Sequence, residues 1–363
     1  MLNVPLSAFC TGMPNHVRLQ SVLESKTTLQ HSEHNPMVSL TKTIDHRADL
    51  SESELNNFRY LHERVSASEM QVDPWPYFEV ENIFPPELYS QILANWPESE
   101  SFNTLPSLVP GQDMCYLTIE DFRQDYHMDP DRTKFWESFV GDWSYPLVLA
   151  NIAKYSWMVA ARFGGRVSKL STQTLNMMQH GPDYQGQDAH NHYNHNVNWL
   201  CTFLIYIGDE TDPGAGTGIH GFDDPDWYFN YHAALQRTVP FGSPIEGTHL
   251  KYRSEFKGNK LISMADSPVT IHSGTPPCAP PETLNRRIIR FHVGVPNEDV
   301  ERSYGCTRQE FFANFSNKEL GQPMLEGIRK DIDVARLATN REKYQELSLT
   351  RSLVIEARPA LLT

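Results

Sequence analysis

The residues best suited to chemistry are histidines in two separate segments. In the first segment, DAHNHYNHNVNWLCTFLIYIGDE at residues 188–210, His190, His192 and Asn194 are spaced by two. In an extended chain, side chains with this spacing share one face and reach a single ion. In the second segment, at residues 259–295, a strand pattern ends on His272. Neutral imidazoles from two strands that leave coordination positions open are typical of non-haem Fe(II) sites, so the spacing favours iron.

Arginines follow the second histidine segment. The run RRIIRFHVGV begins at Arg286 and alternates with period two, so that Arg286 and Arg290 lie on one face and Arg287 on the other. A guanidinium inside a β core is costly unless it meets a carboxylate, which it binds through two parallel hydrogen bonds. The arginine strand therefore favours a carboxylate co-substrate close to the metal.

Two other interpretations of the histidines remain open at this point. A stretch rich in His and Asn is also typical of a surface loop that binds no ion, and the chain has 15 histidines. An H-x-D pair also occurs at His127 and Asp129, upstream of His180. No arginine follows His180 at the required distance, and the segment around the pair has the pattern of a loop leading into a helix. We therefore place the metal site at the two segments described first.

The composition argues against two classes of partner, nucleic acid and anionic membranes. The 363 residues carry a formal net charge of −14, from 45 acidic and 31 basic residues. Such a surface repels nucleic acid and anionic membranes, so neither is expected as a partner. The five cysteines have neither disulfide nor zinc spacing, and no segment has the apolar length of a membrane helix or an export signal. A cytoplasmic protein is the expectation.

The order of the periodic segments predicts an α+β fold. Helical patterns occupy residues 51–65, a helix that begins at Pro85 and Pro86, and residues 133–163. Strand patterns dominate residues 167–295. This order predicts a closed or sandwiched antiparallel β core with helices packed outside it.

Three segments are expected along the chain. Residues 1–70 form a polar, partly helical extension, residues 71–300 hold the β core with its supporting helices, and residues 301–363 form a helical tail. The two terminal segments are candidates for covering the site or for forming a homodimer.

With these motifs in place, the sequence resembles the 2-oxoglutarate- and Fe(II)-dependent oxygenases of the prolyl-hydroxylase-like kind. The order of parts carries the resemblance: a ligand pair, the strand TFLIYI, the turn PGAGTG, a strand that ends on a histidine, and a downstream arginine. It covers roughly residues 75–295 and implies a double-stranded β-helix, or jelly-roll. It also implies that His272 is the distal metal ligand and that Arg286 or Arg287, with Arg286 preferred, binds the co-substrate.

One departure from the family pattern concerns the first ligand pair. The family has H-x-D or H-x-E there, whereas this chain offers His190-x-His192 or His192-x-Asn194. His192 belongs to both pairs, so His192 and His272 are the firmest ligands, with His190 or Asn194 as the third. The missing carboxylate leaves three alternatives: an active oxygenase with an unusual ligand set, altered chemistry, or a site without activity.

The resemblance implies a dioxygenase that uses Fe(II), 2-oxoglutarate and O2 to hydroxylate or otherwise oxidise a C–H bond. The expected substrate is a small molecule or a group tethered to a carrier. Thr202 and Tyr206, on the strand next to the arginine strand, are candidate co-substrate contacts. Two rival functions are a cupin-like three-histidine oxidoreductase or isomerase without 2-oxoglutarate, and a non-catalytic metal-binding β-sandwich.

Overall fold

The structure is a computed structural model. It describes residues 41–44, 50–98, 103–106, 113–117, 129–155, 170–173, 176–180, 184, 186–190, 199–208, 211–212, 215–222, 247–266, 270–274 and 286–294. The chain divides into two compact units, Met1–Leu40 and Thr41–Thr363, and every described residue belongs to the second. The predicted helical tail, residues 301–363, lies outside the described residues.

The helices of the described residues all precede the jelly-roll strands. They are α1 (Glu52–Ala67), α2 (Pro86–Ala94), α3 (Pro130–Phe139) and α4 (Tyr145–Lys154), with the π-helical segment Val140–Ser144 joining α3 to α4.

The strands run from the N-terminal part of the described chain to its end. The first seven are β1 (Thr41–Ile44), β2 (Tyr77–Val80), β3 (Asn103–Pro106), β4 (Asp113–Leu117), β5 (Leu170–Gln173), β6 (Asn176–His180) and β7 (Gln187–His190). The others are β8 (Trp199–Ile207), β9 (Thr211–Asp212), β10 (Thr217–Phe222), β11 (Thr248–Arg253), β12 (Phe256–Lys257), β13 (Lys260–Ala265), β14 (Ile271–Gly274) and β15 (Arg286–Gly294).

Local sequence signals explain where the first helices begin. At α1 the side chain of Ser51 accepts from the backbone N–H of Glu54, whose carboxylate accepts from the backbone N–H of Ser51. This reciprocal capping box satisfies two N–H groups that the first turn leaves without partners. At α2, Pro86 occupies the first turn, where its missing donor does no harm. Both helices start within a residue or two of the predicted positions.

Two antiparallel sheets form the β core. The larger sheet has the order β2-β13-β8-β15-β6-β4-β3, with β5 beside β15 and β1 beside β5. The smaller sheet has the order β11-β10-β14-β7. From β6 onward the chain passes back and forth between them: β6, β8, β13 and β15 lie in the larger sheet, β7, β14 and the β10–β11 pair lie in the smaller one, and β9 pairs separately with β12. This winding is a double-stranded β-helix, so the predicted α+β jelly-roll is confirmed.

The alternation of side chains along β8 separates two apolar cores. Phe203 and Ile205 belong to the core between the larger sheet and the helices, together with Phe58 of α1. Leu204 and Tyr206 point the other way, into the core between the two sheets. The helices therefore support one face of the larger sheet, and its opposite face is left for the interior of the jelly-roll.

The predicted boundaries near residues 70 and 300 stay predictions. Helix α1, on the N-terminal side of the first boundary, buries Phe58, Leu61 and Val65 in the core that covers the larger sheet.

Among the described helices, none combines the length and the apolar character that crossing a lipid bilayer requires.

Candidate metal centre and anion pocket

Two of the candidate metal ligands lie side by side in the smaller sheet. His190, the last residue of β7, pairs in register with His272 of β14. The centroids of the two imidazole rings are 4.5 Å apart, and the residues are only 2% and 5% exposed. Antiparallel pairing thus brings together residues that are far apart in the sequence.

Backbone carbonyls orient both rings. The Nδ1 of His190 lies 2.7 Å from the carbonyl oxygen of Asp188. Because a carbonyl only accepts, this nitrogen carries the proton, and the lone pair of the neutral ring is on Nε2. His272 makes a similar hydrogen bond to the backbone of Thr270, also two residues earlier. Hydrogen bonds of this kind fix the ring orientation and the tautomer of metal-binding histidines.

Burial keeps both imidazoles neutral. Desolvation lowers the pKa of His190 to about 4, although its hydrogen bond to Asp188 acts in the opposite direction. Burial also holds the pKa of His272 well below its usual range, with a further contribution from His190. At neutral pH neither ring has to lose a proton before it binds a metal ion.

The other candidate ligands, including His192, which was one of the two firmest predictions, fall outside the part of the chain that the structure describes. His192 and Asn194 both lie in the undescribed residues 191–198. Within the described residues, no group of three or more His, Cys, Asp or Glu side chains is placed to hold a metal ion. The structure therefore supplies two neighbouring imidazoles, and the choice between the remaining candidates stays a prediction.

Arg286, at the start of β15, is held in a buried position by its neighbours. Its Nη1 donates to the hydroxyl of Tyr184 at 2.7 Å, and its Nη2 donates to the carbonyl oxygen of Gly216 at 3.1 Å. Its Cζ also lies 5.1 Å from the centroid of the Tyr184 ring. The residue is 3% exposed, and its Nε has no hydrogen-bond partner among the described residues. A buried guanidinium with an unmatched donor suits an anionic ligand.

A glycine makes room for the tyrosine that contacts this arginine. A Cβ atom placed on Gly274 of β14 would lie 2.0 Å from the hydroxyl oxygen of Tyr184 and 3.2 Å from Nη1 of Arg286. Real side chains do not approach so closely, so the position needs a residue without a side chain. Gly274 thus lets Tyr184 and Arg286 meet above the end of β14.

Arg287, the other candidate arginine, takes a different position. Its guanidinium Cζ lies 5.7 Å from the centroid of the Trp96 ring, and Trp96 belongs to the core on the helical side of the larger sheet. Alternation along β15 accounts for this, because neighbouring residues of a strand point to opposite faces. Of the two arginines, only Arg286 lines the same cavity as the histidine pair.

One cavity joins the histidine pair to the arginine. Its volume is about 380 Å³, part of it open to solvent. Its lining comes from both sheets and includes no Asp or Glu among the described residues: Met178, His180, Tyr184, Gln187, His190, Leu204, Thr217, His272, Ser273, Gly274, Arg286, Ile288 and Arg290. The cavity combines two neutral imidazoles with cationic side chains, a combination that suits a metal ion accompanied by an acid.

Two further residues of this cavity are His180, which sequence reasoning considered only with the rejected H-x-D pair, and Tyr184, to which it gave no role. Their rings stack with centroids 4.0 Å apart and an interplanar angle of 7°. His180 pairs in register with Arg286, and its pKa is lowered well below the usual value by burial and then by the charge of Arg286. The period-two pattern of β6 could have placed His180 on an inner face, but only the pairing of β6 with β15 places it next to Arg286.

Thr202 and Tyr206 lie on β8 but do not line the cavity. The hydroxyl of Thr202 donates to Asp266 Oδ2 at 2.5 Å and lies 2.7 Å from Nδ1 of His292. The hydroxyl of Tyr206 is 2.7 Å from that of Thr217, which does line the cavity. Their part in co-substrate binding stays a prediction.

Only one residue of the alternative H-x-D pair, Asp129, lies within the described residues. His127 lies outside the described residues. Asp129 is the N-cap of α3, where its side chain accepts from the backbone N–H of Asp131 at 2.7 Å. This carboxylate therefore caps the N-terminus of α3.

Comparisons with known proteins give likeness at the level of the fold. No protein-family model matches the sequence, and no curated protein matches it. Among solved structures, the chain is similar to a prolyl-4-hydroxylase from Pseudomonas putida, with 10% identity over 65% of this chain and 98% of that one, and a TM-score of 0.37. It is also similar to a Trichoplax adhaerens prolyl hydroxylase in complex with a hypoxia inducible factor oxygen degradation domain peptide fragment. There the identity is 11% over 71% of this chain and 98% of that one, and the TM-score is 0.42.

A third similar structure is HygX from Streptomyces hygroscopicus, with nickel and 2-oxoglutarate bound. Its identity to this chain is 9% over 68% of this chain and 87% of that one, and the TM-score is 0.33. With identities this low and TM-scores this small, the likeness assigns neither a reaction nor a residue role to this chain. Its function has to be argued from the cavity itself.

Proposed function

We propose that this protein is a mononuclear Fe(II), 2-oxoglutarate-dependent oxygenase. The observation that supports it is that the buried residues His190, His272 and Arg286 line one cavity between the two sheets. These residues supply the two kinds of group that such a reaction requires, namely neutral nitrogen ligands and a cation for the acid.

The donor set fits Fe(II). Imidazole nitrogen suits iron, and two histidines on neighbouring strands leave several coordination positions open for co-substrate and oxygen. His190 and His272 would hold the ion, with His192 or Asn194 completing the protein ligands. Fe(II) bound with a 2-oxo acid and O2 supplies an oxidant strong enough to remove hydrogen from an unactivated C–H bond.

Arg286 would hold the end of 2-oxoglutarate that does not react. Its Nη1 and Nη2 are fixed by Tyr184 and by the Gly216 carbonyl, so that the guanidinium is oriented before the acid arrives. Holding the far carboxylate orients the 2-oxo acid end toward the histidine pair. A prearranged cation loses little conformational freedom on binding.

Apolar side chains form part of the cavity wall. Met178, Leu204 and Ile288 give it apolar walls between the polar groups. In such surroundings the attraction between Arg286 and a carboxylate is stronger than in water. The remaining space would take a small-molecule substrate or a group delivered on a carrier, with hydroxylation as the expected outcome.

Anaerobic titration tests the proposal. The Fe(II)-loaded protein is mixed with 2-oxoglutarate, and we expect a weak visible charge-transfer band that saturates with the acid. On admission of O2, succinate should form. If neither the band nor succinate appears at any concentration of 2-oxoglutarate, the proposed function is wrong.

One observation favours a second candidate, a cupin-like metal enzyme that does not use 2-oxoglutarate. The sequence His190-x-His192 offers a third imidazole where the oxygenase pattern has a carboxylate. Such an enzyme would bind iron as tightly as the oxygenase, but its spectrum would not respond to 2-oxoglutarate. The titration described above therefore distinguishes the two.

A further inference from the structure

Arg290 is a second arginine of the cavity, and the proposed mechanism does not yet use it. It lies on β15, where period-two alternation puts it on the same face of the strand as Arg286 and Ile288, both of which also line the cavity. Arg290 comes four residues after Arg286, so the Cα atoms of the two are about 13 Å apart on an extended strand. The cavity therefore presents a guanidinium group at two separate places.

The two arginines differ in how deeply they are buried. Arg286 is 3% exposed and is held by the hydroxyl of Tyr184 and the carbonyl of Gly216. Arg290 is only partly buried. A guanidinium has five N–H donors, so Arg290 can keep its contacts with protein neighbours and still bind a ligand. The deeper arginine suits the co-substrate, and the more accessible one suits a second ligand.

The charge of Arg290 acts on the histidine pair. Burial is the main cause of the lowered pKa of His190 and of His272, and the positive charge of Arg290 lowers both pKa values further. On the larger sheet, Arg290 pairs in register with Leu204 of β8, which also lines the cavity. A ligand held by Arg290 would therefore lie on the side of the cavity where the metal is expected.

The proposed site has an excess of positive charge. Among the described residues, the lining of the cavity includes Arg286 and Arg290 but no Asp or Glu, and the exposed Asp188 is not part of it. Both candidates for the third ligand, His192 and Asn194, are neutral side chains, whereas the family pattern has a carboxylate there. Fe(II) and two guanidinium groups would thus outweigh the two negative charges of 2-oxoglutarate. This excess favours a second anion in the cavity.

We propose that Arg290 binds an oxyanion group of the substrate itself, a carboxylate or a phosphate, so that the protein oxidises an anionic small molecule. The proposal rests on the proposed function and deepens it, because it names the class of substrate. By holding the anionic end, Arg290 would orient the C–H bond that reacts. A neutral analogue of the substrate would not gain the charge-assisted hydrogen bonds and would bind more weakly.

The experiment compares three probes of similar size. Anaerobic protein saturated with Fe(II) and 2-oxoglutarate is titrated with butanoate, with propyl phosphate and with the neutral butanamide, in a buffer free of other oxyanions. Calorimetry gives each Kd. We expect at least one of the two anions to bind about tenfold or more tightly than butanamide. The tighter of the two anions identifies the group that Arg290 prefers.

Variants of Arg290 test whether this residue causes the preference. In Arg290→Gln the Kd of the preferred anion should rise about tenfold or more, whereas that of butanamide should stay within about twofold and that of 2-oxoglutarate within about threefold. Arg290→Met replaces Arg290→Gln if the latter does not fold, with the same expectation. Arg290→Lys keeps the charge and should retain most of the preference. Arg287→Gln is the matched control on the opposite face of β15 and should leave every Kd unchanged.

The other outcomes reject either the inference or the proposed function. Equal binding of all three probes to the wild-type protein, or a preference that persists in Arg290→Gln, would overturn the inference. It is also wrong if Arg290→Gln weakens 2-oxoglutarate as much as Arg286→Gln does, because Arg290 would then hold the co-substrate. If the wild-type protein binds iron but does not respond to 2-oxoglutarate, the proposed function itself is wrong.

Discussion

His190 and His272 face each other across the β7–β14 pair, with ring centroids 4.5 Å apart. Each ring is hydrogen-bonded to the backbone two residues before it, at Asp188 and at Thr270. The same sheet register therefore sets both the position and the orientation of the two imidazoles. The geometry leads to predictions about metal binding, acid binding and stability.

Replacing either imidazole should abolish tight iron binding. In His190→Ala or His272→Ala one of the two proposed ligands is lost. We expect the affinity for Fe(II) to fall about a hundred-fold or more, because losing a ligand weakens metal binding more than losing a hydrogen bond that supports a ligand. Iron content after anaerobic loading and desalting measures this. His62→Ala is the matched control, because His62 lies on α1 and contacts Ser66. Retention of iron by both site variants would show that the pair is not a metal site.

The two adjacent arginines should differ in their effect on acid binding. Arg286→Gln removes a buried cation of the cavity and should weaken 2-oxoglutarate binding about thirty-fold or more, because truncating a buried charge pair costs about 2–5 kcal/mol. Arg287→Gln changes a side chain over Trp96 and should alter the Kd by no more than about twofold. Calorimetric or spectroscopic titration measures both. A larger effect from Arg287→Gln would assign the acid to the other face of the sheet.

A methyl group at Gly274 should disturb the contact between Tyr184 and Arg286 without weakening metal binding. Gly274→Ala places a carbon 2.0 Å from the Tyr184 hydroxyl and so displaces the tyrosine from Arg286. We expect weaker 2-oxoglutarate binding, by about tenfold, with iron content unchanged. Gly141→Ala is the control, because nothing lies within 4 Å of its added carbon. Equal acid affinity in the two variants would argue against the Tyr184–Arg286 contact.

Stability of the metal-free protein should fall as the pH drops below about 6.5. Burial lowers the pKa of His190 to about 4 in the folded protein, against an unfolded value of 6.5. Between these two values the unfolded chain binds more protons, so the free energy of unfolding decreases with decreasing pH. His190 alone should contribute a loss of about 2 kcal/mol between pH 7.5 and pH 5.

Urea unfolding at the two pH values measures this loss. The variant His190→Gln should show a shallower dependence, since Gln does not titrate. His272 and His292, whose pKa values burial also lowers, should account for part of the remaining slope. A wild-type stability that is flat between pH 7.5 and pH 5 would contradict the buried, neutral state of these rings.

Thr202 should matter for stability more than for acid binding. Its hydroxyl lies between Asp266 and His292, and all three residues are buried. Thr202→Val removes the hydroxyl and should cost about 1–3 kcal/mol of unfolding free energy, whereas Thr202→Ser keeps it and should cost less. The Kd for 2-oxoglutarate should stay within about twofold in both. A selective loss of acid affinity in Thr202→Val would restore Thr202 as a co-substrate contact.

The helices and strands could be predicted because their signals are local. Ser51 and Glu54 mark the start of α1, Pro86 marks that of α2, and Tyr77–Val80 is a strand as predicted. The jelly-roll was predicted on a different basis, namely the order of elements that the sequence shares with a known family, and the sheet topology confirmed it. Local patterns do not specify which strands pair.

Strand pairing also explains what the sequence left undecided at the site. Alternation separates Arg286 from Arg287 but does not tell which face is the interior. That is settled by the packing of the helices on one side of β15. The contacts of His180 and Tyr184 with Arg286 were missed because Arg286 is distant from both residues in the sequence.

The proposed ligands are divided between the two sheets. His190 and His272 belong to the smaller sheet, whereas Arg286 belongs to the larger one. In the proposed oxygenase, the spacing between the two sheets would therefore set the length of the acid that spans it. Substitutions that widen or narrow this gap, such as size changes at Ile219 or Ile262 in the intervening core, would retune the preferred number of carbons without touching a ligand.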